Sequence, residues 1–171
     1  TPGERLVPVV DALLDRYAGK RVVIHTVSNA RTQLLVQRSK HSGRMFYHFS
    51  PKERMAALKR YLATPGAVLV SPSFERGIDL KYGACDAILV FKIPYGNLGD
   101  PQIAARKKEE DGEGWYSLEA IRRLVQMTSR GMRAADDWCD VHILDRNFEK
   151  LYTGDYAEYF PKWWRDAVQV S

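Results

Sequence analysis

Apolar residues along this chain recur at two spacings, and the switching between them predicts the elements. "LVPVVDALLDRYAG" repeats its apolar positions every three to four residues, predicting a helix over roughly residues 6–17 that Gly19 closes. "RVVIHTV" follows as a short β-branched run, the mark of a buried strand. "SNARTQLLVQRS" returns to helical spacing, with Ser28 or Asn29 able to cap its start. "RMFYHF" is a second candidate strand. "SPKERMAALKRYLAT" predicts a helix with Ser50 as N-cap, Pro51 in the first turn and Glu53 completing a capping box. "GAVLVS" and "DAILVFKI" supply a third and a fourth strand. The polar stretch from Pro94 to Gly114 reads as an exposed loop. A long helix follows in "YSLEAIRRLVQMTSRGMR", with Ser117 as candidate N-cap, and "DVHILD" is the fifth strand. The aromatic tail "LYTGDYAEYFPKWWRDAV" is expected to end in a short helix packed back on the body.

Strands that alternate with helices imply an α/β fold: a parallel sheet flanked by helices on both faces, in three layers. Right-handed crossovers leave the loops after the strands as the natural ligand-binding edge. "HTVSNA", after the first strand, and "SPSFERGIDL", after the third, fall there. A length of 171 residues suits one well-buried domain, and 45% hydrophobic content argues against disorder. The net charge of +5 is compatible with an anionic partner without demanding one. No apolar run approaches the roughly 18 residues a membrane span needs, and no signal-peptide pattern opens the chain. A cytoplasmic protein is therefore expected. Cys85 and Cys139 lack a CxxC spacing or a histidine companion, so they read as reduced core thiols, and no metal site is visible.

Candidate chemistry gathers in two places. On a helix, Gln126, Arg130 and Arg133 fall within a fan of about 60°, leaving a cationic face. A solvated basic face, or bridges to Asp136, Asp137 or Asp145, is the bland alternative. In "SFERGIDL", Gly77 lets the backbone approach a ligand and Asp79 can hold a hydroxyl or orient an arginine, although Gly-x-Asp turns are usually structural.

Read in order, these segments resemble the second RecA-like motor domain of superfamily 2 helicases, most closely the XPD/DinG group. "VVIHTVS" resembles motif IV, "SFERGIDL" motif V, and "KIPYGNLGDP" the group's I-P-F/Y and D-P elements. "QMTSRGMR" resembles motif VI, and "DDWCDVHILDRNF" the group's acid, strand and D-x-R run. The likeness spans roughly residues 20–150. It departs at Arg76, where the group has glutamate (Glu75 is adjacent), at Ser129 and Cys139, which replace glycines, and in the order of Arg146 and Asn147.

The resemblance implies a RecA-like fold and the C-terminal half of an ATP-dependent DNA helicase. It implies that Arg133 is the arginine finger, that Arg130 sits beside it on the phosphates, and that Gln126 couples to the nucleotide or its water. Gly77, Asp79 and Glu75 would belong to the nucleotide side, and Ser28, Asn29, Ser71 and Ser73 would hold single-stranded DNA, with RNA an open alternative. No phosphate-binding G-x-x-x-x-G-K-[ST] loop or D-E-x-H box occurs. ATP and Mg²⁺ would thus be bound mainly by a first motor domain absent from this chain, and the isolated domain is expected to be inactive. A non-catalytic nucleic-acid-binding module, or a translocase that does not unwind, is the alternative.

Overall fold

The computed structural model describes residues 1–72, 85–129 and 139–168. Two compact units divide the chain: Thr1–Lys92 with Thr128–Leu144, and Ile93–Met127 with Asp145–Ser171.

The first unit holds the sheet. Its elements are helix α1 (Pro2–Arg16), strand β1 (Val22–His25), helix α2 (Asn29–Arg38), strand β2 (Met45–Tyr47), helix α3 (Pro51–Ala63), and strands β3 (Val68–Ser71), β4 (Ala87–Val90) and β5 (Asp140–Ile143). All five predicted strands form, in the order β2-β3-β1-β4-β5, and every pairing is parallel. Val22, Ile24, Val68, Val70, Ala87 and Leu89 face Val7, Val10 and Leu14 of α1 and Leu35 of α2 in one core. The alternate residues Val23, Leu69 and Ile88 point to the opposite face and are equally buried. Burial on both faces is why these strands read as continuous apolar runs. α3 lies against β2 and β3, burying Ala57, Leu58 and Tyr61.

Two starts differ from expectation. α1 begins at Pro2, ahead of the predicted residue 6, because Thr1 and Glu4 close a reciprocal capping box. The box expected at Ser50 and Glu53 does not form: the Ser50 side chain makes no cap bond, and the Glu53 carboxylate accepts from the N–H of Phe49. Gly19 and Gly66, in the turns before β1 and β3, take left-handed φ values of 74° and 71°. A Cβ on Gly66 would stand 3.2 Å from the Gly19 Cα, so glycine is required there for space as well as for conformation.

The second unit contains helix α4 (Pro101–Lys107), most of helix α5 (Gly112–Ser129), α6 (Asn147–Thr153) and α7 (Lys162–Asp166). The expected loop over 94–114 is therefore partly helical. Asp100 caps α4 by accepting from the Gln102 N–H, and Pro101 occupies its first turn. Ser117 is not a cap; it lies inside α5 and is buried, because the helix starts five residues earlier. Two glycines, Gly112 and Gly114, disguise that start in the sequence. A Cβ on Gly112 would collide with the Lys107 carbonyl, so the tight α4–α5 junction demands glycine. The aromatic tail forms its own cluster, with Phe160 stacked on Trp164 at 4.9 Å and Phe148 edge-on to both. Trp163 remains 53% exposed.

Candidate functional site

Parallel pairing brings two loops together at the carboxyl edge of the sheet. β1 and β3 are hydrogen-bonded neighbours with His25 opposite Ser71, so "TVSN" and the stretch that begins at Pro72 leave the sheet side by side. The edge is tied by Thr26. Its N–H and its hydroxyl both donate to the Ser71 carbonyl, at 3.0 Å each, and its hydroxyl meets that of Thr32 at 2.6 Å. Val27 then turns with φ 68°. A β-branched residue is strained in that left-handed region by roughly 1–3 kcal/mol, and such strain persists only where the surroundings enforce it. Here the enforcement comes from Thr26 on one side and the Ser28 cap on the other.

The Ser28 hydroxyl accepts the Arg31 N–H at 3.1 Å and the Arg31 guanidinium at 3.2 Å, which makes it the N-cap of α2. Asn29 opens that helix and is exposed. The first-turn amides of α2 thus face the loop, an arrangement that favours an anion. Ser71 is fully buried and its hydroxyl lies 3.3 Å from His48 Nε2, so it acts within the scaffold of this edge. Ser73, Glu75, Gly77 and Asp79 lie outside the described residues, as do Arg130 and Arg133.

In the second unit, α5 buries Ala120, Ile121, Leu124 and Met127 along one stripe and leaves Gln126 exposed on another. The "IPYGN" loop is fastened by several groups of its own unit. The Ile93 N–H donates to Asp145 Oδ2 at 2.9 Å, Tyr95 stacks on Tyr116 at 5.1 Å, and the Tyr116 hydroxyl donates to the Gly96 carbonyl at 2.7 Å. Burial, with the Asp145 charge second, raises the Tyr95 pKa, so this hydroxyl stays neutral. Asp145 is thereby engaged with the backbone, because its other oxygen accepts the Asn147 N–H. Arg106 is chelated by Asp111 at 2.7 and 3.2 Å and by Glu109 at 3.1 Å, and Lys107 pairs with Glu113 at 3.5 Å. These carboxylates offset the charge of Arg106 and Lys107. Lys52, Lys59 and Arg60 on α3 are exposed.

At the opposite edge of the sheet, Tyr17, Asp140 and His142 form a small network. The Tyr17 hydroxyl donates to Asp140 Oδ2 at 2.8 Å and lies 2.7 Å from His142 Nε2. The phenol has one proton and the carboxylate only accepts, so His142 must carry its proton on Nε2 and donate to the phenol oxygen. Burial first, then the Asp140 hydrogen bond, pushes the Tyr17 pKa up to about 12. Nothing in the sequence announced Val27 as strained, because valine carries no left-handed signature, and Tyr17 and His142 are 125 residues apart.

Among the described residues, no group of three or more His, Cys, Asp or Glu is placed to hold a metal ion. No described helix is long and apolar enough to cross a membrane.

The parallel sheet and its flanking helices define the class as a RecA-like α/β fold. The chain belongs to the helicase C-terminal domain family, whose model matches residues 14–167. Within it the chain groups with the XPD/DinG-like superfamily 2 helicases. The regulator of telomere elongation helicase 1 homolog of Caenorhabditis elegans is 27% identical over 142 residues, covering 70% of this chain and 14% of that protein. The Fanconi anemia group J protein homolog of Gallus gallus is 27% identical over 117 residues, covering 61% of this chain and 9% of that protein. A solved XPD structure without ligand ("XPD_APO") shares the fold with a TM-score of 0.64 and 21% identity, over 87% of this chain and 33% of its own. The chain therefore spans a small part of its curated relatives.

Proposed function

We propose that this chain is the second motor domain of an ATP-dependent DNA helicase, acting on ATP and Mg²⁺ bound mainly by a first motor domain. ATP bound there supplies the phosphoryl group whose transfer drives the cycle. This chain contributes Arg133 as the finger that neutralises charge developing on that group, with Arg130 beside it on the phosphates and Gln126 coupled to the nucleotide or its water. Gly77, Asp79 and Glu75 belong to the same nucleotide side. The loop after β1, with Ser28, Asn29 and the α2 amides, grips the phosphates of a single strand together with Ser73. Ser71 serves this grip through its carbonyl, which anchors Thr26.

The observation that supports this reading is the His25–Ser71 register, which sets the loop after β1 beside the exit of β3 at Ser71 and Pro72.

The test is Arg133→Ala in the full-length protein. ATP turnover should fall by about 10³-fold or more, on the order of 4 kcal/mol of barrier, with nucleotide affinity largely kept. Unchanged turnover refutes the assignment.

A further inference from the structure

Cys85 and Cys139 are 54 residues apart in sequence, yet their sulfurs lie 3.1 Å from each other. The topology makes them meet. β4 and β5 are adjacent and parallel, Ala87 is opposite Asp140, and the Asp140 N–H donates to the Asp86 carbonyl at 3.1 Å. The two cysteines stand just ahead of that first rung, in the residues leading into two neighbouring strands. Neither is in a disulfide; Cys85 is buried and Cys139 half-buried. A disulfide bond is about 2.05 Å long, so the sulfurs need to approach by about 1 Å, within reach of small side-chain rotations. The chain has no other cysteine to compete.

We propose that Cys85 and Cys139 are a reversible dithiol–disulfide switch that, when oxidised, ties together the two points where segments 73–84 and 130–138 re-enter the sheet. Residue 84 is bonded to Cys85 and residue 138 to Cys139, so the new bond joins the ends of both segments. Those segments carry Gly77 and Asp79 on one side and Arg130 and Arg133 on the other. The consequence for turnover rests on the motor reading above; the chemistry of the pair does not.

The oxidant is a hydroperoxide, with hydrogen peroxide the simplest. The half-buried Cys139, as thiolate, attacks one peroxide oxygen; the O–O bond breaks, leaving a sulfenic acid and a hydroxide that is protonated to water. The Cys85 sulfur then attacks the Cys139 sulfur. An S–S bond forms, the S–O bond breaks, and the departing hydroxide leaves as water with the Cys85 proton. Two thiols and one hydrogen peroxide give one disulfide and two waters, with two electrons passing from sulfur to oxygen. A dithiol reductant reverses the step.

The experiment uses the full-length protein, treated with hydrogen peroxide, alkylated and digested with trypsin without reduction. Peptide 82–92 should appear covalently joined to peptide 134–146, and dithiothreitol should release them. DNA-stimulated ATP turnover should fall about tenfold on oxidation, a typical coupling between sites, and return on reduction. Cys139→Ser and Cys85→Ala should each abolish the cross-link and the peroxide sensitivity. A wild-type protein in which Cys139 over-oxidises without cross-linking overturns the pairing. Sensitivity that persists in both variants, or a cross-link that leaves turnover unchanged, overturns the switch. A reduced protein with no turnover at all overturns the motor reading and with it the regulatory role, while the peptide cross-link still decides the pairing.

Discussion

Arg44 offers a direct check on how the sheet edge is built. It ends the short 3₁₀ turn before β2, and its guanidinium donates to four backbone carbonyls: Gly66 at 2.8 Å, Leu14 at 3.3 Å, Tyr17 at 3.1 Å and Lys20 at 3.0 Å. Two of these acceptors are at the carboxyl end of α1, one is in the turn into β1, and one is in the turn into β3. A single side chain therefore fastens the entries to the two strands whose exits form the proposed DNA-gripping edge. Each bond is worth about 1 kcal/mol net, and water can replace part of that for a half-exposed side chain. Placing a cation at a helix carboxyl end adds roughly 0.5 kcal/mol. Arg44→Ala should thus destabilise by about 2–3 kcal/mol. For a domain of this size that lowers Tm by roughly 6–9 °C. Arg44→Lys keeps the charge but not the planar fork, and should lose about half as much. Thermal unfolding followed by circular dichroism measures both. A drop of less than about 2 °C in the alanine variant would show that solvent serves these carbonyls equally well, and the clamp would have to be abandoned.

Two further outcomes follow from the geometry. Val27→Gly removes the left-handed strain but adds unfolded-state entropy of about 0.5–1 kcal/mol, so stability should hold or rise slightly while single-strand affinity falls. A loss above about 1 kcal/mol in chemical denaturation would mean that valine packing outweighs the strain. The pKa of His142 is lowered by burial and by the Arg16 charge, against the opposing pull of Asp140. The unfolded chain therefore takes up the proton first, and the stabilisation present above about pH 6.5 is lost as pH falls through the folded value. His142→Gln keeps a donor to Tyr17 and cannot titrate, so Tm should depend less steeply on pH between about 7 and 5. An unaltered slope would assign the acid sensitivity to other groups.

Periodicity alone determined the five strands and their parallel arrangement, because an apolar run such as "VVIH" or "AILV" makes sense only with both faces covered, but it did not reveal α4, which lies in a polar stretch read as loop. The motif order determined the family in the same way, since type and spacing of residues survive without any knowledge of contacts. Boundaries were less legible: the Thr1 cap, the α4 start at Asp100 and the Gly112 junction depend on which backbone groups meet, and several residue types satisfy each. What tertiary structure alone decided is proximity across the chain. The contact between Cys85 and Cys139, the Tyr17–His142 pair and the four carbonyls under Arg44 exist because parallel pairing and two left-handed turns bring distant segments into register. Local sequence holds no record of such a meeting, because the free energy that enforces it comes from burying the sheet between its helices.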